Sequence, residues 1–360
     1  MLTLSVMLWP VIAQAAELTE MPPALRGDLG VRFDTYTQYD RLTEQEEVVG
    51  RRVLATTQLT IGGQFSFIDG AGLFFDIPRY TEQTRYPEAN LMAFDPLNDT
   101  GTMRGTAALS SDAIGLSGKG FGGAWLGLSG TPLSEQLFAE RGDLVSWRVD
   151  AAYRFADKTP FWTFDTGRQV RGAGPGASAF RLRTAASTTH RNAQPYIAAD
   201  LIRSSRQTLD VINEDGVTLM SNVEILPASS ADIITGAELF VYKNADTGSQ
   251  ISLDFRSSFG YRSFQTLPSG TYLPSILDAS RTVLSTMAEQ TYLDLGFGLN
   301  SRIQRYVQLN VGGEVGTVSP HRIEHLYTIE TGLGSLSWQV HAELRFRARD
   351  PLVEKMFATE

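Results

Sequence analysis

The chain contains no cysteine, which excludes disulfide scaffolds and metal sites built on thiolates. Beyond Ala16 it has no apolar run near the about 18 to 20 residues that a membrane helix needs. If this chain meets a membrane, it does so with strands. Blocks of Lys or Arg are absent too, and 40 acidic side chains outnumber 31 basic ones for a net charge of −9. That balance argues against duplex nucleic acid as a partner. Proline is sparse at 15 residues, while 33 glycines, 19 phenylalanines and 12 tyrosines suit many strands and turns. Mean hydropathy does not separate a soluble protein from a membrane barrel, because the polar interior of a barrel lowers the average.

What is present begins with an uncharged segment, Leu2 to Ala16, holding the run LTLSVMLWPVIA and then Ala13-Gln14-Ala15, a small-x-small cleavage pattern. Residues 1 to 15 are therefore expected to be a signal peptide. The missing basic n-region implies an upstream start or a truncated leader. Residues 16 to 27 are expected to form an N-terminal periplasmic segment.

Period-2 alternation fills most of the rest. In Ser335 to Arg347, Leu336, Trp338, Val340, Ala342, Leu344 and Phe346 alternate with Ser337, Gln339, His341, Glu343, Arg345 and Arg347. One face is lipid-like and the other is polar. The same pattern runs through Val307 to Val315, Ile251 to Phe259 and Val145 to Phe155. Twelve strands are expected, at 28–38, 52–67, 71–80, 120–131, 143–155, 178–189, 194–204, 229–242, 249–261, 288–300, 305–317 and 335–347. The weakest segments are 71–80 and the stretch around 105–117, which could hold another strand, so ten to fourteen brackets the number, with even numbers favoured. Short turns at 68–70, 190–193, 243–248 and 301–304, with a longer one at 132–142, interleave with long connections at 39–51, 81–119, 156–177, 205–228, 262–287 and 318–334. Parity of connection length is what an all-β, antiparallel transmembrane barrel produces, with periplasmic turns and extracellular loops. The barrel is expected over 28–347, with 348–360 as a periplasmic tail.

That register aims fourteen charged side chains inward: Arg32, Asp34, Arg148, Asp150, Arg154, Arg181, Arg183, Asp200, Asp254, Arg256, Asp294, Glu314, Glu343 and Arg345. Mixed signs can line a water-filled, weakly selective passage, or can pair and fill a narrow bore. Both outcomes fit the residues.

Other chemistry is thin. Gly118-Lys119-Gly120-Phe121-Gly122-Gly123 looks like a phosphate loop, but the following AWLGLSGTPL alternates as a strand instead of opening a helix; the glycines are expected to let a strand bend. His341 with Glu343 could form a dyad only with a nucleophile in reach, so an enzyme is not expected. His321 and His325 flank Glu324 without an obvious third metal ligand. Asp95, Asn98 and Asp99 have no recognised calcium spacing. No cofactor and no metal are expected. Tyr36, Tyr39, Tyr80, Tyr153, Phe161, Trp162, Tyr242, Tyr261, Phe264, Tyr272, Tyr306 and Tyr327 fall near strand ends, the level of interfacial aromatic girdles.

From Gly27 to Arg349 the chain resembles the broad class of bacterial porin-like outer-membrane barrels, including the hairpin style of FGGAWLGLSGTPL and RGDLVSWRVDAAYRF. The resemblance is one of architecture. It implies residence in the cell outer membrane, lipid as the main partner, and passive movement of small hydrophilic solutes through a charged lumen. The alternative is a structural barrel in an envelope-spanning export or motility machine, with periplasmic or outer-membrane protein partners.

Overall fold

The computed structural model of the chain describes residues 21–22, 24–44, 47–87, 116–133, 145–156, 169–170, 176–190, 192–212, 218–244, 246–268, 284–303, 306–324, 328–331 and 335–347. The leader at 1–15 and the tail at 348–360 lie outside them, as do Asp95, Asn98, Asp99, Phe161, Trp162, Tyr272, His325 and Tyr327.

Twenty strands are described, in chain order β1 (Arg26–Glu44), β2 (Glu47–Ile68), β3 (Ala71–Pro87), β4 (Leu116–Phe121), β5 (Trp125–Leu133), β6 (Ser146–Arg154), β7 (Gln169–Val170), β8 (Ala179–Ser187), β9 (Ala193–Ser204), β10 (Gln207–Ile212), β11 (Thr218–Ile225), β12 (Ser230–Asn244), β13 (Ser249–Arg262), β14 (Gln265–Pro268), β15 (Leu284–Met287), β16 (Gln290–Ile303), β17 (Val307–Val318), β18 (Arg322–Glu324), β19 (Thr328–Thr331) and β20 (Ser335–Arg347). Twelve staves pair antiparallel in the circular order β1, β2, β3, β4 with β5, β6, β8, β9, β12, β13, β16, β17 and β20. The sheet then closes on itself. β20 pairs with β1 from Asp28 opposite Arg347 to Tyr39 opposite Leu336 without a register shift. Closure is what lipid demands, since each unpaired backbone group there costs several kcal/mol.

All twelve expected staves are present, and the segment near 105–117 adds none among the described residues. Its end, Leu116–Phe121, is the upper part of the stave that β5 continues. Between them Gly122 to Ala124 break the strand but keep their partners: the Gly122 amide donates to the Pro78 carbonyl at 2.9 Å, and Phe155 donates to Ala124 at 3.0 Å. The glycine-rich run is thus a bend inside a strand. At the opposite end Asp69-Gly70 joins β2 to β3 with Gly70 at φ 79°, a left-handed turn position that glycine fills without strain.

The long connections need correction. Residues 39–51 are largely strand, because β1 and β2 run on to Glu44 and Glu47. The regions 205–228, 262–287 and 318–334 hold the pairs β10 with β11, β14 with β15, and β18 with β19. Pairing continues past the membrane because the ladder satisfies backbone groups there as well as in lipid; alternating hydropathy ends sooner, since no lipid face remains to select it.

The outward face is an apolar belt. Leu29, Val31 and Phe33 on β1, Phe255 and Phe259 on β13, Leu293, Leu295 and Phe297 on β16, and Leu336, Val340 and Leu344 on β20 are all exposed on the bare protein. A surface of that kind is stable only against lipid. Among the expected girdle residues Tyr39, Tyr153, Tyr242, Tyr261 and Phe264 are exposed, and Tyr306 is partly so. Tyr36 and Tyr80 are not girdle residues. Both are buried on the inward face, since Tyr36 shares the parity of Arg32 and Asp34.

The register predicts a contrast. Val340→Arg, near the middle of β20, should destabilise the folded barrel by about 2 to 4 kcal/mol, and Leu309→Arg, nearer the turn end of β17, by less; Gln339→Ser, beside Val340 but inward, should be tolerated. Heat-modifiable mobility on gels and denaturant titration in lipid check this, and equal tolerance of both kinds of change would contradict the register.

Candidate functional site

The inward face of a barrel strand takes every second residue, so an arginine and a carboxylate two apart share that face and can touch along the strand. The chain does this repeatedly. Arg32 and Asp34 are 2.9 Å apart, Arg148 and Asp150 2.7 Å, Arg345 and Glu343 2.7 Å, and Arg256 and Asp254 3.8 Å. Uncharged polar residues follow the same rule on β1, where the Tyr36 hydroxyl donates to Gln38 at 2.7 Å and Gln38 donates to Asp40 at 2.6 Å.

Other pairs reach across strands. Arg181 on β8 holds Asp200 on β9, and Arg256 on β13 holds Glu314 on β17. The second pair spans the intervening β16, and it can do so because its register partner there is Gly296. A Cβ at Gly296 would meet Arg256 Nε at 2.7 Å and Cγ at 2.9 Å. Tyrosines repeat the device. Tyr292 on β16 lies over Gly260 on β13 and donates to Asp232 on β12; Tyr196 on β9 lies over Gly236 on β12 and donates to Asp254 on β13 at 2.9 Å. Glycines on the lumen wall are saddles over which long side chains tie the staves beyond.

All fourteen charged residues singled out from the sequence lie on the inward face, most of them buried. All but Arg154 fall into two sectors. In the sector of β12, β13, β16 and β17, Asp254, Arg256, Asp294 and Glu314 pack with Tyr196 and Tyr292. In the other, Arg32, Arg148, Asp150, Arg181, Arg183, Glu343 and Arg345 surround a polar cavity of about 800 Å³, counting its open part, with walls from β1, β2, β3, β6, β8 and β20. Asp34 and Asp200 stand behind that cavity as partners of Arg32 and Arg181. Arg148 links its walls, donating to Gln64 at 3.1 Å and to Ser129 at 2.9 Å.

Arg154 is set apart. Its Nε and Nη2 donate to the Ala177 carbonyl at 3.1 and 3.0 Å, and its guanidinium lies 5.2 Å from the Trp125 ring centre. Trp125 in turn packs on an apolar cluster of Ala179, Ile202 and Ala228, and Arg154 does not line the cavity.

Sequence reasoning passed over Asp28, Asp76, Asp232, Glu238 and Arg262. Parity would have found Asp28, which is in phase with Arg32, and Glu238, in phase with Asp232. Asp76 sits on the weakest of the expected strands, beside Phe74 on the same face.

The histidines form no catalytic group among the described residues. His341 is buried with its ring over Gly312 and has no hydrogen bond to Glu343, which is held by Arg345. His321 Nδ1 lies 3.0 Å from the Ser319 carbonyl, and His190 pairs with Ala193 across a hairpin turn at 2.8 Å.

Neither a protein-family model nor a curated protein sequence matches this chain. Solved structures do. An outer-membrane channel from Pseudomonas putida F1 superposes with a TM-score of 0.51 at 10% identity, covering 92% of this chain and 98% of that one. A FadL homologue from Pseudomonas aeruginosa gives 0.41 at 10% identity over 93% of each chain, and the β domain of the Bordetella autotransporter BrkA gives 0.41 at 12% identity over 89% and 99%. The first likeness, the closed twelve-stave sheet and the lipid-facing belt define the chain as an outer-membrane β-barrel, resident in the bacterial outer membrane.

Breaking the ion pair that crosses Gly296 should be costly. Arg256→Met leaves Glu314 and Asp254 buried without their cation, and should cost about 3 to 5 kcal/mol. Arg256→Met combined with Glu314→Met should cost less than Arg256→Met alone. Denaturant unfolding in lipid vesicles measures both, and a double variant worse than the single would contradict the pairing.

Proposed function

We propose that the barrel is a passive channel for small hydrophilic solutes, which pass through the charged cavity on the β1, β3, β6, β8 and β20 side of the lumen. The observation that carries this reading is the lining of that cavity: five arginines and four carboxylates, with Phe74 and Ala152 as its apolar side chains. Apolar solutes would gain little in such a space, because desolvating the lining charges would cost more than apolar contact returns. The turns and both ends of the barrel domain face the periplasm in this reading, and the β10 with β11 hairpin faces outward.

A second reading, a structural barrel serving an envelope-spanning export or motility machine, is favoured by the side-chain packing of the β12 to β17 sector. The two differ in conduction. Purified protein in planar bilayers should give discrete current steps, and Arg183→Glu should shift selectivity toward cations, because lining charge sets the local counter-ion concentration. Absence of steps under conditions where a general porin conducts would favour the structural reading.

A further inference from the structure

The cavity contains an unusual carboxylate. Asp76 projects inward from β3 and lies over Gly62, where a Cβ would collide with its Oδ1. Arg32, Arg181 and Arg345 approach from three other staves closely enough to act on it electrostatically. Yet Asp76 makes neither a hydrogen bond nor a direct ion pair with any described residue. Asp76 and these three guanidiniums thus line one cavity with opposite charges. Two strand positions away Phe74 lies over Gly127, close enough that a Cβ there would meet its ring edge, and the phenyl ring is part of the same cavity wall.

We infer that this cavity is a binding site for a neutral polyhydroxylated solute, a mono- or disaccharide in chemistry. An ion of either sign is a poor occupant, since it is attracted by one set of lining charges and repelled by the other. A hydroxyl group suits both. It donates to a carboxylate and accepts from a guanidinium, and hydrogen bonds to charged groups are roughly twice as strong as neutral ones. The C–H face of a sugar ring is apolar and flat, and Phe74 offers the matching surface. The inference deepens the channel reading and rests on the same cavity, but binding does not require the lumen to conduct.

The test is calorimetric titration of the detergent-solubilised full-length barrel with maltose, and with glycine as a zwitterion of comparable polarity. Maltose should give saturable heat and glycine none. Asp76→Asn and Phe74→Leu should each weaken maltose binding about tenfold, which corresponds to about 1.4 kcal/mol. Each variant is first confirmed as folded by heat-modifiable mobility, and either one alone suffices if the other does not assemble. No saturable heat with maltose, saturation by glycine instead, or unchanged affinity in a folded variant would overturn the inference. Saturable binding without bilayer conductance would remove the channel reading and leave this one standing; conductance without binding would do the reverse.

Discussion

Closure of the backbone hydrogen-bond ladder is the constraint on which the rest of this structure depends. In hydrocarbon a strand has no solvent to satisfy its edge, so the chain must return its last strand to its first. Pairing of β20 with β1 does this over the length of β20 that the belt covers. Once the sheet is closed, period two sorts every side chain: Leu344 and Phe346 must meet lipid because Glu343 and Arg345 meet the lumen. Charges placed inward then have to be paired or hydrated, which is the origin of the arginine–carboxylate pairs two residues apart along β1, β6, β13 and β20.

A narrow bore adds a second demand. Side chains as long as arginine and tyrosine cannot all stand upright inside twelve staves, so they lie along the wall, and the wall needs places without a Cβ to receive them. Gly236, Gly260, Gly296 and Gly312 receive Tyr196, Tyr292, Arg256 and His341 in this way. These four contacts lie within the β9 to β20 part of the sheet. On the opposite side Gly62 and Gly127 receive Asp76 and Phe74, and both side chains line the cavity.

Much of this was legible in the sequence. Staves, turn positions and the inward set followed from hydropathic parity, because lipid imposes that parity on the chain. Tyr36 and Tyr80 were assigned to the girdle from their distance along the strand, although parity placed Tyr36 inside with Asp34. Residues 39–51 read as a loop because hydropathy stops alternating where lipid stops, while the ladder continues to Glu44 and Glu47. The division of the lumen into a packed and an open sector was not legible. It depends on which inward residues become register neighbours across strands, as Arg256, Gly296 and Glu314 do, and these are far apart in sequence.

The central claim is closure between the first and last staves, and the absence of cysteine makes it directly testable. Thr35 and Val340 are Cα partners across the seam, and Thr35 and Thr57 are partners across the adjacent β1 and β2 pair. A disulfide requires Cα atoms about 4.4 to 6.8 Å apart. Oxidation of Thr35→Cys with Val340→Cys in membranes should therefore circularise the chain and shift its mobility on a denaturing gel, as efficiently as Thr35→Cys with Thr57→Cys forms its local bridge. A bridge in the local pair and none across the seam would contradict a closed barrel.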